Sequence, residues 1–120
     1  MLEKIFALWL AFADARVGIA THFSAHGDAG NPNPMLACAH RPRRNLDDRK
    51  DMAVAMRDGH CRSRVLVCLP RTGRCVVARI LDRGPFGKTK GKFTALIDLA
   101  PRVARKLKHN GFEVALVVPL

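Results

Sequence analysis

Arg64-Val65-Leu66-Val67-Cys68-Leu69, then Pro70-Arg71-Thr72-Gly73, then Arg74-Cys75-Val76-Val77-Ala78-Arg79-Ile80-Leu81 is the stretch that decides the fold class. Two runs rich in β-branched residues flank a four-residue segment carrying Pro and Gly, the pattern of a β-hairpin. With that turn, Leu69 opposes Arg74 and Cys68 opposes Cys75, and directly opposed residues on antiparallel strands are within disulfide reach. The chain has four cysteines, which allow three pairings. By elimination Cys38 then pairs with Cys61 and ties a long N-terminal loop to the sheet. Both bonds assume an oxidising compartment; in a reducing one the four residues read as small buried thiols. Their spacing contains no Cys-x-x-Cys, so it does not indicate a zinc site.

Toward the C-terminus the hairpin runs into Asp82-Arg83-Gly84-Pro85-Phe86-Gly87, and after a short basic loop comes Ala95-Leu96-Ile97-Asp98-Leu99. Two aspartates, Asp82 and Asp98, therefore stand at the ends of apolar strands, where a β-scaffold presents a catalytic or sugar-binding carboxylate. Each also has a purely structural reading. Asp82 can bond the backbone of Arg83-Gly84-Pro85, and Asp98 can cap a helix that begins near Pro101. Phe93 to Ile97 reads as a strand. Pro101 suits a first helical turn, and Val103, Ala104 and Leu107 recur at helical spacing opposite Arg102, Arg105, Lys106 and Lys108. Asn110-Gly111 supplies a left-handed stop, and Phe112 to Val118 is a buried closing strand.

Toward the N-terminus, Met52-Ala53-Val54-Ala55-Met56 is an apolar strand ending in a polar loop, and residues 41–51 are almost wholly charged, an exposed connection. Gly27 to Pro34 is a turn-rich loop, and Val17 to Phe23 is a strand. About six short strands and one helix predict a mainly β, small-barrel domain, and 120 residues suffice for one such core and no second. Ahead of it, Ile5 to Ala13 is an apolar run followed by the small-x-small pattern Ala13-Asp14-Ala15, which reads as a secretory signal over residues 1–15, cut before Arg16. The other reading is an N-terminal helix packed on the domain. The run is too short to span a bilayer as a mature helix, and the first cysteine, Cys38, is too distant for a lipid anchor.

The 21 Lys and Arg against 10 Asp and Glu give a net charge of +11, which favours an anionic partner or surface. The basic residues are spread along the chain, there is no Tyr, and the only Trp lies in the leader, so no nucleic-acid module claims them. A solvated basic face accounts for the charge equally well.

The string Asp82-Arg83-Gly84-Pro85-Phe86, with Ile97-Asp98-Leu99, the basic helix and the exit Gly111-Phe112-Glu113-Val114, resembles the core of the rare lipoprotein A (RlpA)-like double-psi β-barrel family. Gly18-Ile19-Ala20-Thr21-His22-Phe23 looks like its opening strand, with His22 and Phe23 where two aromatics are usual. Met35-Leu36-Ala37-Cys38 resembles the loop cysteine of some members and of expansin-like relatives. The resemblance covers residues 17–120 and is densest after Arg64. It implies a six-stranded double-psi β-barrel over residues 16–120 with one short helix before the last strand. It also implies peptidoglycan glycan strands as partner, with anionic wall polymers, whose stem carboxylates or teichoic-acid phosphates suit the positive charge, no cofactor, and lytic transglycosylase activity, which breaks the MurNAc–GlcNAc bond without water and leaves a 1,6-anhydro sugar. On that resemblance Asp82 is the acid/base and Asp98 a second groove carboxylate, and His22, Phe23, His60, Arg83 and Phe86 are substrate-binding candidates. Met56 stands where the family places a histidine, and a thioether transfers no proton. The alternative reading is therefore an expansin-like module that binds glycan without cleaving it. A third is a polyanion binder driven by charge alone. The expected form is a secreted monomer without a membrane span.

Overall fold

In the computed structural model, which describes residues 14–23, 35–38, 44–89 and 93–120, the hairpin forms in the register read from the sequence. Strand β3 (Arg64–Leu69) and strand β4 (Arg74–Asp82) are antiparallel, with Leu69 opposite Arg74 and Cys68 opposite Cys75. Gly73, at φ 69°, takes the left-handed position that closes the turn, and its N–H and that of Thr72 donate to the Leu69 carbonyl. The other barrel strands are β1 (Arg16–His22), β2 (Ala53–Ala55), β7 (Ile97–Leu99) and β8 (Glu113–Pro119), and β5 (Lys88–Thr89) and β6 (Phe93–Thr94) form a separate two-stranded ribbon. The barrel is closed in the order β1-β7-β2-β4-β3-β8, with β8 pairing back to β1. Two of its pairs, β1/β7 and β2/β4, are parallel, and the rest are antiparallel. Among the described residues one helix, α1 (Pro101–Leu107), precedes the last strand. The apolar run Ile5–Ala13, the loop Gly27–Pro34, Arg41–Arg43 of the charged stretch and residues 90–92 lie outside the described residues.

Strand alternation fills the interior. Val65, Val67 and Leu69 of β3, Ala78 and Ile80 of β4, and Ile97 and Leu99 of β7 are buried, as are Val103 and Leu107, one turn apart on α1. Each such side chain contributes on the order of 1.5–3 kcal/mol by leaving water. Pro101 opens the helix as expected from its fixed φ. Outside the barrel wall, Leu36, Leu46, Ala53 and Ala100 form a second small cluster, on which Phe23 and Leu81 pack.

Three local expectations need correction. The strand read over Phe93–Ile97 is two strands, β6 and β7, because Ala95 and Leu96 are buried at the passage from ribbon to barrel: Leu96 N donates to the Ile19 carbonyl at 2.8 Å and the Arg57 guanidinium to the Ala95 carbonyl at 2.6 Å. The left-handed residue that stops α1 is Lys108, at φ 53°, while Gly111, at φ 105°, serves the turn into β8. The helix ends early because the His109 ring bonds the Ala20 carbonyl and draws the chain onto β1. The charged stretch is also not simply exposed. Leu46 is buried, Met35 bridges Asn45, and Arg44 holds Asp51 through both guanidinium nitrogens.

Both disulfides form. Cys68–Cys75 crosses the hairpin, and Cys38–Cys61 fixes the 35–38 segment over the end of β4, with Cys38 N donating to the Leu81 carbonyl at 2.9 Å. Among the described residues no helix is long and apolar enough to cross a membrane.

Where β1 passes the β6–β7 junction the fit leaves no room for a methyl group, since a Cβ on Gly18 would sit 2.6 Å from Leu96 Cβ. Gly18→Ala is therefore expected to destabilise the fold by about 1–3 kcal/mol, read as a lower urea midpoint with an unchanged m-value.

Candidate functional site

The two sequence-predicted aspartates are placed by a short strand that separates them. Ala55, the last residue of β2, pairs with Asp82 of β4 on one side and with Asp98 of β7 on the other, and Asp98 in turn pairs with Thr21 of β1. Thr21, Asp98, Ala55 and Asp82 thus form one row across four neighbouring strands. Two strand spacings put the aspartate Cα atoms roughly 10 Å apart. Ile97, Leu99 and Val54 fill the interior, so the alternating residues Asp98 and Ala55 project from the outer face. A register shift between Val54 and Ala55 brings Asp82 into the row where regular pairing would place Leu81. Such irregularities re-aim side chains. Ala55, which is buried, contributes only a methyl group between the two aspartates.

Backbone and side-chain donors orient both carboxylates. Asp82 Oδ1 accepts hydrogen bonds from Ala37 N at 3.1 Å and Arg83 N at 2.9 Å, and among the described residues no donor is bonded to Oδ2. The bond from Arg83 N is the turn contact foreseen as the structural reading of Asp82. Asp98 Oδ1 accepts from Thr21 Oγ1 at 2.9 Å. The helix cap, which was one of the two readings of Asp98, falls on Ala100, which makes no side-chain cap bond.

Arg83 donates to the carbonyls of Asp58, at 3.0 Å, and Gly59, at 2.8 Å, and its Nη2 lies 3.4 Å from Cys61 Sγ, so it clamps the loop after β2. Arg57 answers from that loop, donating to the Pro85 and Ala95 carbonyls. The two arginines hold the Asp82–Gly87 motif against the loop containing His60, which is exposed. Phe86, four residues beyond Asp82, is 73% exposed, an aromatic face open to a ligand. Phe23 packs on the outer apolar cluster. Met56 is buried in the core, and its N–H donates to the Asp82 carbonyl at 3.2 Å. Thr21, Ala37 and Arg57 escaped sequence reasoning, although a threonine following Ala20 in an otherwise apolar strand marks an outward-facing polar position.

His22 lies beside Thr21 and meets His109, Nδ1 to Nδ1, at 3.1 Å. His109 Nε2 is 2.9 Å from the Ala20 carbonyl, an acceptor, so that nitrogen carries the hydrogen, and His109 Nδ1 accepts from Gly111 N. His22 must then donate from Nδ1. Burial pushes the His109 pKa down from its ordinary value; the Ala20 bond and Glu113 act upward, and His22 and Arg71 act downward. Because the folded pKa lies below that of the unfolded chain, His109 opposes folding once protons are available. Stability is full above about pH 6.5 and falls as pH drops from there through the folded pKa. The lowered pKa values of Asp51, Asp58 and Glu113, each held down first by its arginine partner, place their losses in a more acidic window. We expect the urea midpoint to decline between pH 7 and pH 5, and to decline less in His109→Gln.

Against known proteins, no family model matches this chain and no curated protein matches its sequence.

Proposed function

We propose that this is a secreted cell-wall protein with the double-psi form of the barrel, acting as a peptidoglycan lytic transglycosylase. One observation carries the reading: Asp82 and Asp98 flank Ala55 in one row across three neighbouring strands, and Phe86, four residues beyond Asp82 in the chain, is exposed. The interlocked parallel pairs β1/β7 and β2/β4 support the double-psi form, and the two disulfides support an oxidising destination.

In this mechanism the Asp82 carboxylic acid protonates the glycosidic oxygen as the bond from C1 of MurNAc breaks. The resulting carboxylate then takes the proton of the same sugar's C6 hydroxyl as its oxygen closes on C1. Acid and base are one residue, so the proton account closes without water and without a histidine at position 56. Asp98, fixed by Thr21, places negative charge beside the developing oxocarbenium ion. Phe86 offers a stacking face for a sugar ring. No cofactor is required, the partner is the glycan strand, and the protein acts as a monomer.

The burial of Met56 favours the second reading, an expansin-like module that holds glycan without cutting it. Incubating the purified protein with isolated peptidoglycan and examining soluble products by mass spectrometry separates the two. Release of 1,6-anhydro muropeptides supports the transglycosylase; glycan binding without product supports the module; and reducing-end products without the anhydro ring, which need an activated water, refute the proposed chemistry.

A further inference from the structure

We propose that the outer face of the β3/β4 hairpin carries a second site, a groove for a phosphate-bearing anionic ligand. The groove encloses about 640 Å³, and neither Asp82 nor Asp98 is among the described residues that line it. Four arginines, Arg44, Arg62, Arg64 and Arg79, face a single carboxylate, Asp51. Arg44 takes both oxygens of that carboxylate, and among the described residues the other three, Arg62, Arg64 and Arg79, form no ion pair; the Arg62 guanidinium donates to the Cys38 carbonyl.

Two of the three are directly opposed. Arg64 and Arg79 are cross-strand partners, an arrangement of like charges that opposes strand pairing unless an anion lies between them. Arg79 donates to the Arg62 carbonyl, which aligns Arg79 and Arg62. Arg62 is itself held at φ 67°, a left-handed conformation strained for a side chain of its size, by its N–H bond to Ile80. The Arg64 side chain makes no hydrogen bond or ion pair among the described residues.

The number of guanidinium groups decides the ligand chemistry. A carboxylate offers one two-oxygen edge, which a single arginine fork occupies, as Arg44 does on Asp51, whose Oδ2 also accepts from Asp47 N. A phosphate offers more acceptor oxygens and accommodates several arginine forks at once. Val77, 46% exposed, and Leu81 provide an apolar floor for the body of an ester. The ligand class is thus an organic phosphate, either a small ester or the repeat of a phosphate polymer.

Calorimetric titration of the full chain with poly(glycerol phosphate), with glycerol phosphate and with a polyglutamate of matched charge tests this without reference to glycan cleavage. We expect saturable binding of the phosphate probes, weakened about tenfold or more in Arg64→Thr and less in Arg64→Lys, which keeps the charge but not the fork. Lys106→Gln, which removes a charge from an exposed position of α1 outside the groove, should leave affinity within about twofold. Binding of the polymer alone identifies a polymer repeat, and binding of both probes a small ester. Equal weakening in Arg64→Thr and Lys106→Gln would show an effect of net charge only and overturn the groove, as would absence of saturable phosphate binding. Polyglutamate binding as tight as that of the phosphate polymer would overturn the phosphate assignment.

Discussion

Asp82→Asn is expected to lower the release of 1,6-anhydro muropeptides by about 10²–10⁴-fold, the usual worth of a positioned general acid–base group. The substitution is nearly isosteric. Among the described residues, both hydrogen bonds to the carboxylate fall on Oδ1, from Ala37 N and Arg83 N, and an amide oxygen in the same place still accepts them. The melting temperature should accordingly stay close to that of the parent, and binding to isolated peptidoglycan should persist. Only the ability to give and retake a proton is removed. Asp98→Asn should reduce the rate less, because in the proposed mechanism Asp98 stabilises charge without transferring a proton. Product yields unchanged in Asp82→Asn would refute Asp82 as the acid/base.

Replacing Cys38 and Cys61 together by serine is expected to destabilise the protein by about 3 kcal/mol, within the usual range of about 2–5 kcal/mol for a native disulfide. The bond closes a loop of sequence separation 23, and the entropy it removes from the unfolded chain grows with that length. For a domain of this size the melting temperature should drop by roughly 10 °C or more. Cys68–Cys75 spans only 7 residues inside a hairpin that backbone bonds already hold, so its loss should weigh less. The Cys38–Cys61 loss should also reach the site. Cys38 N bonds the Leu81 carbonyl, Ala37 N bonds Asp82, and Arg83 reaches Cys61 Sγ, so the bond pins the segment that orients the carboxylate. Activity should fall along with stability. Thermal melts with and without reductant measure the first effect, and an unchanged midpoint would contradict it.

Features that depend on neighbours in the chain were legible in advance. The turn Pro70–Gly73 set the hairpin register, and that register set the Cys68–Cys75 bond. Elimination did the rest for Cys38–Cys61. The helix start at Pro101 and its buried stripe of Val103 and Leu107 followed from ring geometry and a period of 3.6. The boundaries that were misread are those where a distant group intervenes. The His109 ring, bonded to Ala20 on β1, ends α1 early, and Ile19 and Arg57 divide β6 from β7.

The site divides along the same line. Sequence alone determined that this chain builds a small β-barrel with one helix before its last strand, and it singled out Asp82 and Asp98 as carboxylates at strand ends, because alternation, turn chemistry and composition are local properties of the chain. Only the tertiary structure decided that Ala55 lies between those aspartates, that Thr21 donates to Asp98, that His22 meets His109, and that Arg44, Arg62, Arg64 and Arg79 line one groove. These depend on strands far apart in sequence becoming neighbours through parallel crossovers, β1 with β7 and β2 with β4. No local preference encodes such a pairing, since it is fixed only when the barrel closes and the interior faces of all six strands are buried together.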